Sequence, residues 1–321
     1  MPPAVNRSVA NSTRTTDLKT VGAFERLRAE LEADADIVKI LTPAHGILAK
    51  SASRLRASGP LGIRAFPLRY NQTFMASTSQ AITRTPAEVV RLMPVTQAPN
   101  GICYSVMGEV NTGTADLERM VNAVPRTIAA GLNRKAYYFV PLTLNMGGDD
   151  TMIADRYDVQ LSDSAVCHRN QTLGDSQCVF ISTRLMEDNF AIAFEFFINV
   201  GHNFVDRVGV SQEFADVVWK QVEGRARGET SLDAYELRKV ATTSGPEAEK
   251  ARHEYLLAVF ADAIAVYLLS LYLDVDYQDL RERDYPLLKP EALAERLRKI
   301  NELFPPNPGY EFAVYHRRRP Q

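Results

Sequence analysis

Asp188–Val210, DNFAIAFEFFINVGHNFVDRVGV, is an apolar run interrupted at a regular interval. Glu195, Asn199, His202 and Asp206 fall at i, i+4, i+7 and i+11, a spacing that lines them up as one polar seam on a helix. The other faces of that helix carry Phe190, Ile192, Phe194, Phe196, Phe197, Ile198, Val200, Phe204 and Val205, so the helix is expected to be buried. Asp188 or Asn189 is placed to cap its start and Gly209 to end it. Polar groups inside a buried helix cost free energy unless they find partners. The seam therefore has either a chemical role or a structural one, the latter being a hydrogen-bonded core histidine with its neighbours.

Within this stretch, Phe197–Asp206, FINVGHNFVD, resembles the active-site helix of zincin metallopeptidases, and more narrowly the branch similar to anthrax lethal factor. In zincins two His at i and i+4 bind zinc from one helical face, and a Glu between them activates the zinc-bound water. Carried over by position, the second His matches His202, with Gly201 before it and Asp206 after it. The first His falls on Ile198 and the general base on Asn199. Further on, Leu257–Ile264, LAVFADAI, resembles the zincin segment whose first Glu is the third ligand; that position is Ala258, and Asp262 matches the acidic position that supports the site. Two of three ligands and the base are thus absent from the matched positions. One imidazole does not hold a catalytic zinc, which takes three protein ligands. The resemblance implies a zincin-like pseudoenzyme with no cofactor, no metal and no catalytic residue, its degenerate positions being Ile198, Asn199, His202 and Ala258. Glu195, Asp206 and Asp262 would form the supporting seam.

The order of elements from Thr114 onward carries the same resemblance. Ala115–Leu132 is an amphipathic helix with Leu117, Met120, Val121, Val124 and Ile128 on one side, kinked or split by Pro125. Lys135–Leu144, KAYYFVPLTL, is a strand by its aromatic and β-branched content. Asn145–Gln177 is polar and reads as irregular, and Cys178–Thr183 is a short strand taken as the edge strand before the seam helix. Ser211–Gly224 and Leu232–Val240 read as helices, Thr242–Pro246 as a loop. Tyr255–Leu273, YLLAVFADAIAVYLLSLYL, approaches bilayer-spanning length. Asp262 near its centre, and Asp274, Asp276 and Asp279 after it, argue for a core helix instead. Asp262 is expected to accept a hydrogen bond from the His202 imidazole and so orient the ring. Glu291–Leu303 is a last helix and Tyr310–Tyr315 a short strand.

Before Thr114 the resemblance gives nothing. Thr20–Ser58 has apolar residues at helical spacing, with His45 in a break at Pro43 and Gly46; Gly62–Tyr70 and Gly101–Val110 read as strands, and Pro86–Met93 as a short helix. The expected fold is α+β: a zincin-like core, with a small mixed sheet, an edge strand, an active-site-type helix and a second core helix, plus an added N-terminal α/β region. The expected divisions are a flexible basic arm over residues 1–19, the N-terminal region over 20–113, the core over 114–304 and a basic tail over 305–321.

The chain's 321 residues, 45% hydrophobic and 24% charged with a net charge of −2, fit a soluble globular protein with no global pull toward nucleic acid or anionic membrane. Cys103, Cys167 and Cys178 are an odd number and no disulfide framework. Cys167, His168 and Cys178 lack the second ligand pair of a structural zinc site. The first residues lack the apolar core of a signal peptide, which points to a cytoplasmic or intracellular protein. Arg7 and Arg14 at one end and Arg317, Arg318 and Arg319 at the other can touch phosphates weakly, or serve only solubility. Three functions fit: an inactive zincin-like protein for self-assembly, as in a coat or scaffold, or for protein binding; a metal-dependent hydrolase with a non-standard ligand set, such as His202 with His253, Glu254 or Asp262; and an unrelated α/β binding protein.

Overall fold

The computed structural model describes residues 82–108, 113–132, 135–144, 151–156, 167–184, 189–273 and 285–314. The expectations for residues 1–81 and for the Arg317–Arg319 run lie outside these.

Thr85 and Glu88 close a capping box over the first described helix, α1 (Pro86–Leu92), with Pro86 in its first turn. A five-stranded sheet follows, built from β2 (Thr96–Gln97), β3 (Cys103–Val106), β4 (Lys135–Val140), β7 (His168–Leu173) and β8 (Ser176–Ser182) in the order β2-β3-β4-β8-β7. β3, β4 and β8 are parallel, with Ala136 opposite Cys103 on one side and Cys178 on the other; β2 and β7 are antiparallel edges. A smaller sheet, β1 (Thr83–Arg84), β6 (Thr151–Ala154) and β5 (Leu142–Leu144), is antiparallel throughout.

Both faces of the larger sheet are covered. Alternation along β4 sends Tyr137 and Phe139 to one side and Tyr138 and Val140 to the other. Val179 and Ile181 of β8 join Tyr137 and Phe139 in the main core, while Cys178 and Phe180 join a second cluster with Val89, Leu142 and Ile153. The main core is made with α2 (Thr114–Asn122), α3 (Arg126–Gly131), α4 (Asn189–Val208), α5 (Gln212–Glu223), α6 (Leu232–Ala241), α7 (Pro246–Tyr272) and α8 (Pro290–Leu303). The molecule is α+β.

Several expectations are corrected. Pro141 breaks Lys135–Leu144 into β4 and β5, which belong to different sheets. Asn145–Gln177 is not wholly irregular: it contains β6 and β7, whose polar residues fit strands with one face toward solvent. β7 is the edge; β8, read as the edge from its sequence, lies inside the sheet, which explains its five consecutive buried residues. β2 and β3 precede the expected boundary at residue 113 yet pair into the same sheet as β4, so the sheet crosses that boundary. Tyr310–Val314 forms no strand. Pro125 does split the amphipathic helix, into α2 and α3.

α7 begins at Pro246, nine residues before its apolar stretch. It is the described helix long and apolar enough to cross a membrane, and 67% of its most apolar window is buried inside the fold. α4 packs against it in the opposite sense: Phe197 meets Tyr272 near the end of α7, and Gly201 meets Ala261 in its middle. A Cβ on Gly201 would stand 2.7 Å from the Ala261 carbonyl oxygen. Gly201→Ala gains about 1 kcal/mol of helix propensity, but the clash is with backbone, which cannot swing aside. The expected net result is a loss of about 1–2 kcal/mol, read as a lower urea midpoint.

A carboxylate with two guanidinium groups fixes the other end of the helical layer. Glu229 and Arg296 are both 0% exposed. Arg296 donates to Glu229 Oε2 at 2.9 Å and to Gln221 Oε1 at 2.8 Å; Arg238 donates to Glu229 Oε1 at 3.0 Å, and Tyr255 to the same oxygen at 2.6 Å. The cluster therefore joins α5, α6, α7 and α8. Arg296→Met breaks the fully buried pair and leaves Gln221 Oε1 without its donor, while Arg238 still holds Glu229, so it is expected to cost about 3–5 kcal/mol in chemical denaturation.

Candidate functional site

The seam of α4 is only half buried. Glu195 and Asn199 are each 3% exposed, whereas His202 and Asp206 are exposed. The sequence pattern predicts burial along its whole length. The early seam is covered by the edge strand, whose His168 reaches Glu195, while the later seam is exposed.

The buried half is satisfied by a residue from the edge strand. His168, opposite Ile181 in the ladder, points to the helical side of the sheet, and its Nδ1 hydrogen-bonds with Glu195 Oε1. Asn199 Nδ2 donates to the same oxygen at 3.1 Å and to the Glu195 carbonyl at 2.9 Å. The residue at the matched general-base position is thus an amide that anchors Glu195. Nothing in the sequence links His168 to Glu195, which lie 27 residues apart. The Cys167, His168 and Cys178 grouping does not form, because Cys178 faces the second cluster across the sheet from His168.

Further along the seam, His202 and Asp262 are electrostatic neighbours across the α4–α7 crossing. The expected hydrogen bond from the imidazole is replaced by two from hydroxyls: Thr230 Oγ1 and Ser231 Oγ each donate to Asp262 Oδ2 at 2.7 Å. Ser231 also caps α6, accepting from the Ala234 amide at 3.2 Å. Asp262 therefore anchors the 230–231 turn to α7. Ile198 sits one turn before His202 and Ala258 one turn before Asp262, both half-buried. Neither side chain carries an atom that can bind a metal. Asp206 stands near Lys135, whose ammonium donates to Asn203 Oδ1 at 2.6 Å.

His253 and Glu254, weighed as companions of His202, do not join it. His253 lines a groove between α5 and α7, and Glu254 lies 3.9 Å from Lys250 in an exposed pair. Among the described residues no group of three or more His, Cys, Asp or Glu side chains converges as a metal site. The donors at the crossing, one imidazole and one carboxylate already accepting two hydroxyls, do not fit the three-ligand zinc centre that the resemblance implies. Comparison with protein-family models, curated proteins and solved structures found no match.

The Asp262 carboxyl is held above its ordinary value of 3.8 by burial, against the opposing pull of the Ser231 hydroxyl, His202 and the Thr230 hydroxyl. A folded-state pKa above the unfolded one means that the native state binds the extra proton, so this group's contribution to stability falls as pH rises from about 4 through the raised pKa. Asp262→Asn keeps an oxygen for both hydroxyls and removes the charge. The variant is expected to gain stability relative to the parent as pH rises through that window, with the gap constant on either side; urea titrations of both proteins from pH 3 upward check it.

Proposed function

We propose that this chain is a catalytically silent protein with a zincin-like core whose fold serves binding or assembly. The observation that carries the reading is the chemistry of the α4–α7 crossing. Ile198 and Ala258 offer no ligand atoms, the Asn199 amide is committed to Glu195, and among the described residues His202 is the one imidazole at the crossing, beside an Asp262 that ties down a turn. The arrangement supports a scaffold role because its polar groups hold helices, an edge strand and a turn together. Mixed parallel strands, an antiparallel edge strand and the long helix following β8 also suit such a core.

The partner in this reading is another protein, in the first instance a second copy of the chain. Arg7, Arg14, Arg317, Arg318 and Arg319 would add weak contacts to nucleic-acid phosphates if the assembly encloses them.

The test combines zinc content with size in solution. Protein purified without chelator is expected to contain zinc well below one ion per chain by elemental analysis, and to form assemblies larger than one chain by light scattering. One tightly held zinc per chain, lost in His202→Ala, would favour the metal-dependent hydrolase and overturn the proposal. Restoring Ile198→His, Asn199→Glu and Ala258→Glu together is expected to create zinc affinity in a folded protein. A folded triple variant that binds no zinc would count against the zincin alignment.

A further inference from the structure

The open groove between α5 and the first half of α7 has a volume of about 510 Å³ and shares no lining residue with the α4 seam. The chain's single tryptophan, Trp219, lies on its wall, half-buried. Arg252 sits over that indole, its guanidinium carbon 3.7 Å from the ring centroid. Such stacking orients the guanidinium and leaves its N–H edge free to donate.

The two helices run in opposite senses here, since Phe214 packs on Phe260 while Trp219, further along α5, meets the earlier Arg252. Each helix also contributes one cation and one carboxylate a turn apart: Lys220 and Glu223 from α5, Arg252 and Glu249 from α7. Opposite helix directions then bring the two cations alongside one another and the two carboxylates alongside one another. Among the described residues none of these four side chains forms an ion pair or a hydrogen bond. Past the cations, toward the start of α5, Val210, Ala215 and Leu256 line the groove beside Gln212 and Asp216, whose side chains are satisfied by each other at 2.7 Å.

We infer that this groove is a binding site for a free α-amino acid with an apolar side chain. The carboxylate would sit between Lys220 and Arg252, the ammonium between Glu223 and Glu249, and the side chain against Leu256, Ala215 and Val210. An α-amino acid carries its two charges a few ångströms apart, which suits groups spaced one helical turn apart better than it suits a simple anion or a simple amine. Charge-assisted hydrogen bonds at both ends give selectivity for the zwitterion, and the volume is within the range of small-molecule sites.

The experiment titrates the full chain with L-leucine, L-methionine and L-phenylalanine, following Trp219 fluorescence and, in parallel, heat by calorimetry. At least one is expected to bind saturably and change the emission. N-acetyl-leucine, which lacks the ammonium, and leucinamide, which lacks the carboxylate, are each expected to bind about tenfold or more weakly than leucine. Arg252→Gln and Glu249→Gln should weaken the amino acid by a similar factor. No saturable binding by any of the three amino acids would overturn the assignment. So would derivatives that bind as well as leucine on the unaltered protein, a comparison that does not depend on any variant folding. The outcome is independent of the zinc and assembly measurements, since the groove shares no residue with the α4–α7 crossing.

Discussion

The closeness of two helix backbones at Gly201 and Ala261 sets the geometry of the helical layer. With no side chain at Gly201, α4 can lie against α7 at a distance that any Cβ would forbid. That approach puts Phe197 on Tyr272 and brings His202 beside Asp262. Gly131 makes a related close approach on another side of α4, where a Cβ would stand 2.6 Å from the Phe204 ring. The apolar faces of α4 are therefore packed through small residues as well as large ones. Its aromatic rings interlock with the sheet through Tyr137 and Phe139, which both meet Phe196.

Polar groups within this layer act as ties between elements. Glu195 joins α4 to the edge strand through His168, Asp262 joins α7 to the turn before α6, and Glu229 joins α6, α7 and α8 through Arg238, Tyr255 and Arg296. Each carboxylate is held by donors from elements distant in sequence. Such ties specify one arrangement of helices more than they add net stability, because the desolvation of each charge offsets much of its attraction.

The sequence made the helical half of the fold legible and the sheet half only in part. The period of Phe190–Val205, the break at Pro125 and the stop at Gly209 are local signals, and the structure follows them. β7, HRNQTL, has the composition of a loop, and becomes a strand because β8 offers it a full ladder of partners. Pro141, inside the single strand read over Lys135–Leu144, is the corner between two sheets. At the candidate site the seam residues were found by spacing, but their partners were not. His168, Thr230 and Ser231 reach Glu195 and Asp262 across long sequence separations, and no periodicity encodes such a contact. The groove at Trp219 was hidden for the same reason: its charges come together only when two helices are laid side by side.

The Glu229 cluster has a consequence for ionic strength. Added salt screens charges that face water, such as Lys239 with Glu236 at 2.7 Å, where both side chains are more than half exposed. Dissolved ions do not reach Arg296 and Glu229, which have no exposed surface. The attraction that clasps α8 to the loop before α6 thus persists in concentrated electrolyte, where the surface pairs have faded.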